Sequence, residues 1–430
     1  MRHLLTLLKV LSLTAVVAAL WAGLVVTATL QGWFRPAIAP AGDSGAFASA
    51  AIAMLDTQNV GNVAYQLLED GKVVSEHYLS IGTPVDADTL FQVASLSKWI
   101  TAWGVMTLVD SGRLDLDKPV DDYLERWQLP LGSHDNRLVT PRLLLSHRAG
   151  LIDGLGYAGY LPGEPVQPLT ESLTQAADAS PGAGGRTVVG IEPGTTFAYS
   201  GGGYTLLQLL IEEVSGQSFS DYMTATVFVP LGMNRSTFTP DLDQLENVAS
   251  FYDLDGSEAI HYRFTSLAAT SLYTTAADLT RLLQAHLPGP QGETIGRGVL
   301  APETLALMRE PHASQFGADI WGLGTMLFAA DADGNWVIGH DGSNEPAINT
   351  SARINPATGD GIVVLETGSQ LLASNLAGEW VFWLTGVPDL IMITIASERM
   401  IMTIVVGWLV LLALAVAIWL LRRRRRALSG

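Results

Sequence analysis

Ser95 and Lys98 stand three residues apart, one turn of a helix, so their side chains would share a face. The chain has only four lysines, Lys9, Lys72, Lys98 and Lys118, and only Lys98 has a serine three residues before it. Arginine could not replace it as a base, because a guanidinium does not give up its proton in a protein. A partly buried lysine can lose its proton and help activate a serine hydroxyl. A hydroxyl and a base so placed suit a serine nucleophile that forms an acyl-enzyme. Taken alone, the four residues also read as a solvated helix start with Ser95 as its N-cap.

Two other stretches offer chemistry. Glu192-Pro193-Gly194 and a short strand-like run deliver Tyr199 to a glycine-rich loop, Gly201-Gly202-Gly203. On its own Tyr199 reads as a packed core tyrosine with a satisfied hydroxyl. Gly339-His340-Asp341-Gly342 closes a predicted strand, and alone His340 reads as a turn histidine before Asp-Gly. His147 reads as a loop histidine bonded to backbone.

Other signals carry no function. Gly42-Asp43-Ser44-Gly45 resembles part of a trypsin-type nucleophile signature, but too few residues precede it to supply a histidine and an aspartate. Asp253-x-Asp255-Gly256 and Asp331-x-Asp333-Gly334 lack the remaining calcium ligands and read as turns. Gly322-Leu323-Gly324 lacks the strand-turn-helix setting of a nucleotide site. No H-x-x-x-H or H-E-x-x-H occurs, and there is no cysteine for a thiolate site or a disulfide. No metal and no cofactor is expected.

The elements that must position these residues follow from periodicity. Thr89 to Ala94 leads into Ser95, and Trp99, Ala102, Trp103, Met106 and Val109 then mark one face of an amphipathic helix ended by Gly112. Leu206, Leu207, Leu210, Ile211 and Val214 mark another after Tyr199. Phe47 to Leu55 reads as a short helix. Val63–Leu68 and Val73–Leu79 flank Asp70-Gly71, a hairpin signal. Strands resume late, at 324–330, 336–340, 348–354 and 362–366, and an apolar helix over 371–384 follows. The loop 154–194 is rich in Pro, Gly and Ala and is expected to overhang something. Strands at both ends with helices between imply one antiparallel sheet with a helical insertion packed on it.

Two apolar runs bracket this unit. Val10 to Leu30 is uncharged behind a basic leader, Arg2, His3 and Lys9. Ile401 to Leu421 is uncharged and is followed by Arg422 to Arg426. Each is long enough to cross a hydrocarbon core, which takes about 20 residues. The first also reads as a signal peptide with Val26-Thr27-Ala28 as its cleavage site. Both readings put the intervening part outside the cytoplasm and the arginines inside. The chain carries 24 basic and 42 acidic residues. Setting aside Arg2, Lys9 and the five terminal arginines leaves 17 against 42, about −25, for residues 10–421. Such a unit is repelled by nucleic acid and by anionic headgroups.

With its flanks, Ser95-Leu96-Ser97-Lys98 resembles the S-x-x-K element of the serine beta-lactamase and penicillin-binding-protein superfamily, in particular its class C beta-lactamase-like serine hydrolases. Tyr199 matches the tyrosine of the family's Y-x-N element, but Gly201 stands where asparagine is usual. His340-Asp341-Gly342 resembles the third motif, K-T-G or H-x-G. Leu143 to Leu151 resembles L-L-x-H-x-S-G-L, and Pro230-Leu231-Gly232-Met233 resembles P-L-G-M. The resemblance covers roughly residues 45–385. It implies that Ser95 is the nucleophile, that Lys98 and Tyr199 share proton transfer, and that His340 and the backbone near Gly342 hold the substrate and its oxyanion. It implies an α/β (α+β) fold, an antiparallel sheet flanked by helices with an inserted helical subdomain.

The organisation expected is a signal peptide or anchor over 1–36, a linker over 37–45 and the hydrolase domain over 46–386. A linker over 387–400, a transmembrane helix over 401–421 and a cytoplasmic basic tail over 422–430 follow. The function expected is a membrane-anchored hydrolase, an esterase or D-amino-acid peptidase, acting on a small-molecule, peptide or ester substrate. A true beta-lactamase and a non-catalytic cell-wall sensor are the alternatives.

Overall fold

The computed structural model describes residues 2–428 apart from Phe34, Leu155, Asp243, Phe316 and Pro346. Side chains are described from Ser12 onward and, in the terminal arginine run, for Arg424 alone, so most of the expected basic tail lies outside the described residues.

Eight strands form one antiparallel sheet: β1 (Val63–Glu69), β2 (Lys72–Leu79), β3 (Ala313–Gln315), β4 (Ala318–Trp321), β5 (Met326–Ala330), β6 (Trp336–Asn344), β7 (Ile348–Ile354) and β8 (Gly361–Thr367). Their order is β2-β1-β8-β7-β6-β5-β4-β3, so the sheet is closed by pairing its first and last segments, Val63 with Glu366 through Leu68 with Gly361. Asp70 and Gly71, both at positive φ, make the β1–β2 turn.

The seven helices used below are α1 (Arg2–Leu30), α2 (Ser44–Gln58), α3 (Ser97–Asp110), α4 (Gly201–Ser215), α5 (Ala276–Gln284), α6 (Leu372–Thr385) and α7 (Leu390–Leu428). Both faces of the sheet are covered, and the period of two sorts its residues between them. Val63, Tyr65, Leu67, Ile362 and Val364 pack with α2 and α6. Ala64, Leu68, Val363, Leu365 and Ile338 face the larger core built around α3, α4 and α5.

Several expectations change. Helix α3 is not amphipathic: every residue from Ser97 to Met106 is buried, because α4 and the helical insertion cover the side that was expected to be wet. Gly201 to Gly203 are not a loop but the first turn of α4. β6 does not end at His340 but runs on to Asn344, since Asp341 and Gly342 serve the strand and not a turn. Asp43 is a helix cap, accepting from Ala46 N of α2. The stretch expected as a linker, 387–400, is helical from Leu390. Asp389 caps it by accepting from Met392 N, and Met392 packs on Gly378 of α6.

Among the described residues two segments are long and apolar enough to cross a membrane, Ser12–Leu30 and Leu390–Leu421. They lie antiparallel, with Trp408 Nε1 donating to Ala18 O at 2.9 Å. Gly407 makes room for Trp21, whose Nε1 would be 1.9 Å from any Cβ there.

Candidate active site

Ser95 lies in a 3₁₀ turn, Ala94–Leu96, just ahead of α3, and Leu96, not Ser95, is the helix cap. Ala94 sits at φ +47, a conformation non-glycine residues seldom adopt. Its surroundings hold it there. Ser97 Oγ donates to Ala94 O at 2.6 Å and accepts from Leu272 N at 3.0 Å. Thr350 Oγ1 of β7 donates to Val93 O at 2.9 Å. Ser97 is therefore the clamp of the turn that presents Ser95.

Lys98 is 2% exposed, and its Nζ donates to Ser95 Oγ at 3.0 Å and to Ala269 O at 2.8 Å. It also lies 5.0 Å from the centroid of the Tyr199 ring and 5.7 Å from that of Tyr204. A neutral amine in this position can take the hydroxyl proton along the same contact along which an ammonium donates.

Tyr199 is held by the N-terminus of α4. Ser200 caps that helix through Gly203 N at 2.8 Å, and buried Asp153 accepts from Gly202 N at 2.7 Å and from Ser200 Oγ. Burial, the largest influence, raises the Asp153 carboxyl above its ordinary value, against these hydrogen bonds and the charge of Lys98. The loop 154–194 overhangs this helix start, as expected. A Cβ on Gly201 would fall 2.8 Å from Tyr157 Cε2, so the space of the missing asparagine is filled by Tyr157.

β6 reaches the serine turn at backbone distance. A Cβ on Gly342 would lie 2.0 Å from Val93 O and 3.1 Å from Leu96 N, so no side chain fits. His340, two residues earlier on the same face, is 1% exposed. Burial, and then the charge of Lys98, holds its pKa down at about 3, so the ring is neutral. Its Nδ1 is 2.6 Å from Asp341 O, which assigns the proton to Nδ1 and leaves Nε2 a buried acceptor without a partner among the described residues.

The structure brings Ser95, Lys98, Tyr199, His340 and Gly342 together. It adds contacts that no local motif exposed. His147 accepts from Ser200 N at 3.1 Å, the backbone bond expected of it. Its ring also lies 4.3 Å from Tyr199 and 4.8 Å from Trp321. Burial first, then Lys98 and His340, hold it neutral. Trp321 of β4 is 5.7 Å from Tyr199 and 5.3 Å from His340, ring to ring. Leu145 O accepts from Gly324 N, Trp321 Nε1 and Tyr204 hydroxyl. The segment 143–151 thus ties three walls of the site together through backbone. No sequence signal marked Trp321, because the short strands β3, at the sheet edge, and β4, beside it, lack an alternating pattern.

The chain belongs to the beta-lactamase family, whose model, described as Beta-lactamase, matches residues 47–380. It is 30% identical over 275 residues to Penicillin-binding protein 4 of Amycolatopsis lactamdurans, covering 61% of this chain and 68% of the relative. It is similar to the octameric penicillin-binding protein homologue of Pyrococcus abyssi, with 25% identity and a TM-score of 0.63 over 80% of this chain and 78% of that one. A class C beta-lactamase shares the fold, with 20% identity and a TM-score of 0.59 over 77% of this chain and 94% of that one.

Proposed function

We propose that this chain is a membrane-anchored serine hydrolase that cleaves an ester or amide through an acyl-enzyme on Ser95. The observation that carries it is the 3.0 Å contact between Lys98 Nζ and Ser95 Oγ. Lys98 as neutral amine takes the hydroxyl proton as Ser95 Oγ bonds to the substrate carbonyl carbon. Lys98 and Tyr199 return a proton to the leaving alcohol or amine. Water then hydrolyses the acyl-enzyme, giving a carboxylic acid and restoring the Ser95 hydroxyl. The Ser95 N–H and the β6 backbone beside Gly342 stabilise the oxyanion. His340, neutral, offers no positive charge to a substrate carboxylate. This favours an uncharged ester or amide over a beta-lactam, and His340 acts by accepting a hydrogen bond and not by donating to a carbonyl.

Helices α1 and α7 anchor the domain on the outer side of the membrane, with the arginine run at 422–426 inside. Protease reaching the 154–194 loop from outside intact spheroplasts supports this orientation, and cleavage only after lysis overturns it.

A second reading, a sensor that binds without turnover, draws on Gly201 and on Tyr157 in the place of a substrate-binding amide. A serine-reactive fluorophosphonate, short acyl esters, D-amino-acid amides and a cephalosporin, offered to the full chain in detergent, separate the two. Labelling at Ser95 with turnover of an ester or amide supports the hydrolase. Labelling without turnover supports the sensor. Absence of labelling overturns both.

A further inference from the structure

The wall of the site and the first turn of α7 belong to one apolar cluster. Ala313, Ile320 and Trp321 form it, and Tyr199 and Leu390 both pack against them. Leu390 is the first residue of α7. The uncharged run beginning at Ile401 therefore starts only about 16 Å further along the helix, at about 1.5 Å per residue. Helix α1 narrows the gap. Its uncharged run reaches Leu30, and Gly32 sits beneath Phe382 and Pro388, where a Cβ would lie 2.5 Å and 3.1 Å from their rings. The end of α1 thus packs against the residue before Asp389, with Arg35 and Arg399 lining the same cavity.

An ion pair pins this junction. Asp389, the cap of α7, is fully buried and ion-paired with Arg353, itself fully buried. Arg353 Nη2 also reaches Asp341 Oδ2 at 2.7 Å, on β6 beside His340. The start of the apolar helix is bonded to the strand of the site through a single guanidinium, so the height of the site above that helix is fixed.

We propose that the substrate of this site is a membrane-embedded amphiphile, with the scissile ester or amide in a polar head that stands within about 16 Å of the hydrocarbon. The proposal rests on the anchored serine-hydrolase reading. The bonds made and broken are those already given: Ser95 takes the acyl group, the alcohol or amine leaves with the proton, and water releases the acid. The charge of about −25 between the two ends selects a neutral or zwitterionic head, because an anionic one is repelled.

The test uses the full chain in phosphatidylcholine vesicles. The probes are a fluorogenic acyl ester tethered to a dialkyl lipid through spacers of increasing length, and the same ester without a tail. Tethered hydrolysis should peak at a spacer reach of about 10–20 Å and fall roughly tenfold for a spacer too short to reach, as expected when a tether must match a fixed span. A response flat in spacer length overturns the proposal. A second variant carries matched fourteen-residue helical insertions after Thr29 and after Ala396, lifting the site by about 21 Å. It should lose the short-spacer tethered rate at least about tenfold and keep the soluble-ester rate. Unchanged tethered turnover with short spacers also overturns the proposal. Should the lifted variant fail to fold, the spacer series on the parent chain decides alone. Absence of both fluorophosphonate labelling and soluble-ester turnover in the parent sinks the hydrolase reading instead.

Discussion

Tyr157 occupies the space into which a side chain at Gly201 would grow. The added Cβ would lie 2.8 Å from Tyr157 Cε2, and the Tyr157 hydroxyl is tied to Thr205 Oγ1, one turn further along α4, at 2.7 Å. The long loop is thereby fastened to the helix that holds Tyr199. Restoring the family's asparagine by Gly201→Asn should overpack this contact and cost about 1–3 kcal/mol. Tyr157→Ala should cost about 3–5 kcal/mol through the cavity it leaves. In the double variant the two losses should sum to clearly more than the loss observed, because the asparagine enters the vacated space. Urea unfolding of the four proteins measures this coupling, and strictly additive losses would show that the two positions do not compete.

Lys98 touches Ser95 Oγ and Ala269 O and is nearly sealed from water. Lys98→Arg keeps a cation there but removes the amine that can be neutral. It should lower kcat/KM by roughly 10²-fold or more, close to the effect of Lys98→Ala. Ser95→Ala should abolish turnover with the unfolding midpoint nearly unchanged, since the turn is clamped by Ser97 and Thr350 and not by the Ser95 hydroxyl. Ester hydrolysis by Lys98→Arg at the parent rate would mean that the lysine acts through charge alone.

The legible parts of this protein are those fixed by local chemistry. The Asp70-Gly71 hairpin, the strands at 348–354 and 362–366 and the Ser95–Lys98 spacing are all within reach of neighbouring residues, and each lies within a residue of where the sequence puts it. What was missed depends on partners far along the chain. Burial of the outer face of α3 comes from α4 and the insertion. Gly342 looks like a turn residue until Val93 is seen against it, and Asp341 looks like its turn partner until Arg353 is. His147 met its expected backbone bond, yet its place against Tyr199 and Trp321 follows from packing between segments more than 50 residues apart.

His340 should make the fold acid-labile without shaping the neutral-pH rate profile. Its pKa in the folded chain is about 3, lowered by burial and by Lys98, against an ordinary value of 6.5. The unfolded chain takes up this proton below about pH 6.5 and the folded one does not. The stability from keeping the ring neutral is present above pH 6.5 and is lost as pH falls toward 3. Between pH 7.5 and pH 4.5, His340→Gln should lose about 2–3 kcal/mol less stability than the parent. Urea midpoints at the two pH values test it, and parallel pH dependence of parent and variant would place the proton elsewhere.

Glu366 should act in the opposite direction. It is fully buried at the end of β8, accepts from Ala373 N of α6 at 2.9 Å through Oε1, and has no partner for Oε2 among the described residues. Burial raises its pKa from 4.5 to about 8, against the helix N–H groups and Ser369 that favour the charged form. The folded chain therefore holds a proton that the unfolded chain releases above about pH 4.5. Stability from this group is complete below pH 4.5 and is lost as pH rises through 8. Glu366→Gln keeps the acceptor for Ala373 N and has no proton to lose. Relative to the parent, it should gain about 3 kcal/mol on going from pH 5.5 to pH 8.5. Fixing the comparison as a difference between two pH values removes any packing cost of the amide, which is the same at both. Urea unfolding of parent and variant at the two pH values measures the gain. A constant offset between the two proteins would mean that Glu366 is already ionised in the folded chain, with a counter-charge or water supplying the partner that Oε2 lacks.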